Sequence, residues 1–280
     1  MMKTGLVLEG GGCRGIYTAG VLDVFLENGI EFDGVIGVSA GAAHGCSFVS
    51  KQKGRSIDYY TKYCNDPRFM SIRSWLKEGN VVGVDFSYHQ LPEKLCPYDY
   101  DAFLNCNTEF YSVVTNLETA KAEYIKINDM FADIDYIRAS ASLPYFSRIV
   151  DIKGKKYLDG GCADSVPIDA FLDMGFDKNV VILTRPNSYR KKPELRFLAK
   201  AVYRKYPEFA KLLLNRHEEY NRNIEHINEL EKEGKIFVIR PKADLHLGRI
   251  EHNAEKIKNA YDKGVLDAKE CVSNLIEWLK

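Results

Sequence analysis

The 280-residue chain has no net charge, because its 39 lysines and arginines meet 39 aspartates and glutamates. A one-signed field that would recruit nucleic acid is therefore missing, and any electrostatic preference has to be local. Long apolar runs are missing too. No stretch approaches the roughly 18 consecutive apolar residues of a membrane span. The N-terminal "MMKTGLVLEGGG" offers only Leu6 to Leu8, too short for the core of a signal peptide. Seven cysteines (Cys13, Cys46, Cys64, Cys96, Cys106, Cys162 and Cys271) make an odd set without a C-x-x-C pair, which fits neither a disulfide framework nor a zinc site. Nor do the His, Cys, Asp and Glu residues show metal-ligand spacing, so no metal and no cofactor is expected. Together these absences predict a cytoplasmic protein with reduced thiols and no nucleic-acid partner.

What is present is an alternation of apolar strands and amphipathic helices. "TGLVLE" reads as a short buried strand, and "IYTAGVLDVFLENG" as a helix that Gly29 stops. "FDGVIGVS" then gives a second strand and "AGAAHGCSFVS" a helix of small residues, a pattern that predicts a parallel α/β sheet. "FYSVVTNL" and "AEYIKI" suggest paired strands, "ADIDYIRASASLP" a helix halted by Pro144, and "KKYLDGG" and "NVVILTR" further strands. The stretch from Asn80 to Asp101 reads as loop-rich. Near residue 185 the composition shifts toward polar helices, dividing the chain into residues 5–185 and a mainly helical region, 186–280. One strand candidate, "KIFVIRP", lies in the second part and suits a return to the same sheet.

Two glycine motifs carry the chemistry. "LVLEGGGCRG" contains G-x-G-x-x-G at Gly10, Gly12 and Gly15, which in isolation is a dinucleotide fingerprint. That reading needs an acidic residue at the end of the second strand, yet Glu31 and Asp33 precede that strand and Ser39 stands at its end. Ser39 is the centre of "GVSAG", a G-x-S-x-G placed between a strand and a helix. Gly37 and Gly41 give the turn room to project a serine hydroxyl, the geometry of a nucleophile elbow. The amides of Gly10, Gly11, Gly12, Cys13, Arg14 and Gly15 then suit an oxyanion hole better than a pyrophosphate cradle, with Gly11, Gly12 and Cys13 as donors. Arg14 suits either of two roles, pairing with a substrate phosphate or bracing its own loop.

A serine nucleophile needs a base. His217 and His226 lie on a polar helical stretch, and His246 and His252 are the late candidates for an ordinary triad. Asp159 in "LDGG" is the stronger candidate: it ends a strand, and Gly160 and Gly161 let the chain turn sharply after it. Its basicity would have to come from burial. "SWLK", Ser74 to Lys77, matches S-x-x-K without the companion motifs that would give it meaning.

"EGGGCRG", "GVSAG", "ASASLPYF" (Ala139 to Phe146) and "DGG", in this order and spacing, resemble the patatin-like phospholipases. The later "LGRIEHNAEKIKNAYDKG" resembles a C-terminal region of some bacterial members. The resemblance implies a three-layer α/β/α sandwich with a mostly parallel sheet and added C-terminal helices. It also implies a Ser39–Asp159 dyad without histidine, an oxyanion hole at Gly10 to Gly15, and hydrolysis of phospholipid, lysophospholipid or related acyl esters. Glu9 departs from the aspartate that more often opens the first motif. Acyl transfer on the same site, or lipid binding without catalysis, are the alternatives. Finally, Arg190 to Arg216 holds nine basic and two acidic residues interleaved with Leu195, Phe197, Leu198, Val202 and others, so peripheral contact with an anionic membrane is a further expectation. Pro207 interrupts that stretch as a single helix.

Overall fold

In the computed structural model, residues 2–193 and 196–280 are described, with the side chains of Arg196 and Phe197 excepted. Leu195 and the Phe197 side chain, named above, lie outside this description. The strands are β1 (Thr4–Leu8), β2 (Gly34–Val38), β3 (Glu109–Asn116), β4 (Lys121–Ile127), β5 (Val150–Ile152), β6 (Lys155–Asp159), β7 (Lys178–Ile182) and β8 (Ile236–Ile239). They form one eight-stranded sheet in the order β5-β6-β3-β2-β1-β7-β8, with β4 paired to β3. The run from β3 through β8 is parallel, whereas β4, β5 and β6 enter antiparallel. "KIFVIRP" does return to the sheet, because Asn179 to Ile182 pair in register with Ile236 to Ile239.

The helices are α1 (Ile16–Glu27), α2 (Ala40–Val49), α3 (Arg55–Tyr63), α4 (Ile72–Glu78), α5 (Tyr100–Leu104), α6 (Ile134–Ser140), α7 (Ile168–Asp173), α8 (Arg196–Val202), α9 (Pro207–Lys232) and α10 (Ala254–Leu279). Because successive strand residues face opposite ways, Leu6 and Leu8 of β1 pack with α1, α2 and α10, while Val7 packs with Phe171 of α7 and with Tyr220, Ile224 and Ile227 of α9. The result is the three-layer α/β/α sandwich. In this arrangement α10 belongs to the main core. A Cβ on Gly20 would lie 2.3 Å from the Tyr261 carbonyl oxygen, so α1 and α10 meet backbone to backbone. Hydrogen bonds from the Tyr17 hydroxyl to Asp267 (2.8 Å) and from the Tyr261 hydroxyl to Asp23 (2.6 Å) tie the same pair.

One stretch differs from its sequence reading and another follows it. Within the region read as loop-rich, Phe86–Leu95 forms a π-helical segment with Pro92 inside it. Proline donates no N–H and obstructs the regular i to i−4 ladder, and the wider turn accommodates it. The basic stretch is two helices, since Pro207 takes the first position of α9. Its Tyr203, Phe209 and Leu213 are buried in the protein, whereas Leu198 and Val202 are exposed.

Candidate active site

β2 and β6 lie end to end along one edge of β3, because β4 occupies the other edge. Val38 of β2 pairs with Val113, and Asp159 of β6 pairs with the next residue, Val114. Running in opposite directions, the two strands finish facing each other. Ser39, which follows β2, therefore comes beside Asp159, and both line one pocket.

Ser39 has φ 54° and ψ −119°, a conformation that costs an L-residue about 1–3 kcal/mol and that the surroundings must enforce. Close packing does so. A Cβ on Gly37 would stand 2.5 Å from the Ala42 nitrogen, and one on Gly41 2.4 Å from the Leu8 carbonyl oxygen. Ser140, at the end of α6, contributes as well: its Oγ accepts the Ser39 N–H at 2.8 Å. Two residues on, the Ser142 carbonyl accepts the Asp159 N–H at 2.9 Å. The "ASASLP" block thus holds both residues, a role its sequence did not disclose. Asp159 is buried, and burial raises its pKa above the ordinary 3.8 despite the opposing influence of Arg216, the Ser39 hydroxyl and the Gly161 N–H (2.8 Å). Gly160 packs directly under Val113, which fixes the turn after the aspartate.

The glycine loop passes beside Ser39, with a would-be Cβ of Gly10 only 3.1 Å from that of Ser39. Among the described residues, the amides of Gly10, Gly11 and Gly12 have no acceptor, and they border the same pocket as Ser39 and Asp159. The Cys13 amide does not join them. It donates to the Arg249 carbonyl at 3.0 Å, because the segment Leu247 to Arg249 crosses over the loop. Cys13 is thereby corrected from oxyanion donor to loop anchor, and burial pushes its thiol up to about 12. The Arg14 amide turns back to Gly11 at 3.3 Å, and its guanidinium reaches the Leu247 carbonyl at 3.4 Å, a bracing contact. Gly15 packs against Ala40 and His44 at the start of α2.

None of the histidines borders this pocket. His246 is exposed, the His252 Nδ1–H donates to the Cys64 carbonyl (2.6 Å), and His226 pairs with Asp169 at 2.9 Å. His44 lies buried against Ser56, its pKa lowered to about 3 by burial and by Arg55.

Two cavities meet at Ser39. One is apolar, walled by Tyr59, Tyr60, Phe69, Tyr88, Leu91 and Ile137 among others, so that the π-helical segment forms one of its sides. The other is polar, contains Asp159 and the glycine loop, and is closed by residues from beyond β7. Glu9 stands at its base, where it accepts from the Thr184 amide (2.5 Å) and the Tyr220 hydroxyl (2.7 Å), joining the first motif to β7 and α9.

The chain is 30% identical over 197 residues to the uncharacterized protein YjjU of Escherichia coli, covering 69% of this chain and 55% of that one. It is also 30% identical over 181 residues to Lysophospholipase nte1 of Aspergillus niger, covering 62% of this chain and 11% of that one. The chain therefore spans about half of the first relative and about a tenth of the second. VipD from Legionella pneumophila aligns with 96% of this chain and 67% of its own, at 15% identity and a TM-score of 0.45. Residues 206–280 match a domain of unknown function, DUF6363. Residues 6–172, which contain Ser39, Asp159 and the glycine loop, match the patatin-like phospholipase model, and the chain belongs to that family.

Proposed function

We propose that the chain is a serine acyl hydrolase acting on phospholipid or lysophospholipid esters. Ser39 Oγ attacks the ester carbonyl as Asp159 takes its proton. The carbonyl oxygen, now negative, is held by the Gly11 and Gly12 amides, each such donor contributing roughly 3–4 kcal/mol to the transition state. Asp159 returns the proton to the departing alcohol, leaving the acyl group on Ser39. Water then attacks the acyl-enzyme, giving its proton to Asp159, and the fatty acid leaves as the serine is restored.

The observation that carries this reading is the conjunction of a serine at φ 54° with a buried carboxyl whose pKa is raised toward useful basicity. Family membership and the lysophospholipase relatives support a lipid ester as substrate. The apolar cavity beside Ser39 suits an acyl chain.

Peripheral membrane contact belongs to the same reading. Lys200, Arg204 and Lys205 are exposed near Leu198 and Val202, so a charged and apolar rim is available to an anionic bilayer. No described helix is long and apolar enough to cross a membrane.

The test is turnover of a short p-nitrophenyl ester and of a lysophospholipid by wild type, Ser39→Ala and Asp159→Asn, each checked for folding by circular dichroism. Each substitution is expected to lower kcat/KM by at least about a thousandfold. Transfer of the acyl group to an added alcohol in place of water would favour an acyltransferase. Saturable lipid binding without turnover by folded wild type would favour a binding protein.

A further inference from the structure

The polar pocket beside Ser39 carries more positive charge than its own carboxylates neutralise. Arg14, Arg185, Lys191, Arg216 and Arg249 border it, against Glu9 and Asp159. Both carboxyls are already engaged, Glu9 by Thr184 and Tyr220 and Asp159 by the Gly161 amide. Arg185 pairs with Asp244 at 2.7 Å, and Arg216 donates to the Gly161 carbonyl. Among the described residues, no carboxylate lies within ion-pair distance of Arg14, Lys191 or Arg249, and Arg14 Nε is buried with no hydrogen-bond partner. Like charges gathered in a partly desolvated pocket are costly unless an anion joins them. The pKa values reflect that cost: Lys191 is lowered to about 7 by burial and by Arg216 and Arg249, and Arg14 is lowered by burial and by Arg185.

The same pocket disfavours a choline-type cation. Its aromatic faces are occupied, since the Arg185 guanidinium lies 4.3 Å from the Tyr189 ring centre and Lys191 Nζ lies 4.1 Å from that of Tyr220. A quaternary ammonium requires an open aromatic face and would here meet fixed positive charge.

The pocket and the apolar cavity meet at Ser39, with Gly12, Ser39, Leu143 and Arg249 lining both. An ester carbonyl at Ser39 would thus have its acyl chain in one and its headgroup in the other. Resting on the hydrolase reading above, we propose that the cationic pocket binds the phosphate of a lysophospholipid whose headgroup is net negative, and selects such lipids over zwitterionic ones. Four of its five cations, Arg185, Lys191, Arg216 and Arg249, come from beyond residue 172, outside the patatin-like match, and Arg216 and Arg249 lie within the domain of unknown function. The C-terminal region accordingly supplies headgroup selectivity to a hydrolytic site built by the first part of the chain.

The experiment compares kcat/KM for lysophosphatidylglycerol, lysophosphatidylcholine and monoacylglycerol of one chain length, each diluted in neutral detergent micelles so that surface charge stays constant. Wild type is expected to prefer the anionic lipid by about tenfold or more, and Lys191→Gln and Arg249→Gln are each expected to reduce that ratio about fivefold. Equal turnover of the three lipids by wild type, or a ratio unchanged in both variants, overturns the proposal. Should folded wild type cleave no ester, the hydrolase reading fails by itself. Calorimetry with glycerol 3-phosphate and inorganic phosphate then decides the pocket. Saturable glycerol 3-phosphate binding that Lys191→Gln weakens sustains a headgroup site; no binding, or binding no tighter than that of inorganic phosphate, overturns it.

Discussion

The two walls that flank Ser39 are made from different parts of the chain and by different physics. The apolar wall comes mainly from residues 40–143, where Tyr59, Tyr60 and Phe69 pack edge to face and Leu91 projects from a π-helical turn. Burial stabilises most of it, and shape is its main means of discrimination. The cationic wall comes mainly from residues after β7 and is expensive to assemble, because its charges repel one another in a desolvated space. A protein that keeps such a wall beside a reactive serine holds free energy in reserve for an anion. On the reading proposed above, the first wall would hold the acyl chain and the second would read headgroup charge.

The most severe way to break this division is at the seam between the walls. Gly12 has φ +57°, and a Cβ there would stand 2.6 Å from the Arg249 carbonyl oxygen, so Gly12→Ala forces apart the glycine loop and the segment crossing it. Turnover of every ester is expected to fall by about a hundredfold or more, with a loss of stability of about 1–3 kcal/mol visible in urea unfolding. A variant as active as wild type would mean that the crossing segment has no part in holding the loop.

A smaller effect should separate the walls. Leu91→Trp fills the apolar cavity at the cost of some overpacking, about 1–3 kcal/mol. It should lower kcat/KM for a long acyl chain relative to a short one by about tenfold, while the ratio between anionic and zwitterionic headgroups stays as in wild type. A changed headgroup ratio would show that the two walls are coupled.

The smallest expected effect concerns pH. Asp159 must be ionised to accept a proton, and its pKa is raised by burial, so the acid limb of kcat/KM should lie above the ordinary aspartate value of 3.8. The linkage has a definite sign. A carboxyl that binds its proton more tightly in the folded state makes the protein progressively less stable as pH rises from its unfolded pKa to its folded one. Asp159→Asn removes that cost, so at neutral pH the inactive variant should melt above wild type. Melting at or below the wild-type temperature would mean that the carboxylate is well compensated where it lies.

What the sequence determined by itself was the local geometry. Gly37, Ser39 and Gly41 between an apolar strand and a small-residue helix specify a turn without neighbours' help, since the constraint lies in which residues tolerate close backbone approach. The alternation of strands and helices likewise announced an α/β sheet. Relations between distant segments were settled only by the tertiary structure. Nothing local indicates that β6 meets β2 end to end along β3, or that Ser140 accepts the Ser39 amide. The stretch from Asn80 to Asp101 reads as loop-rich, yet packing against the aromatic cluster holds Phe86–Leu95 in a wider helix. Lys191 and Arg216 looked like part of a basic surface stretch; only the fold turns them into a pocket beside the serine, and only the crossing of Arg249 takes the Cys13 amide out of the oxyanion loop. Charge and hydrogen-bonding capacity are written in the residues, but whether water, a carbonyl or a substrate meets them depends on contacts made across two hundred residues of chain.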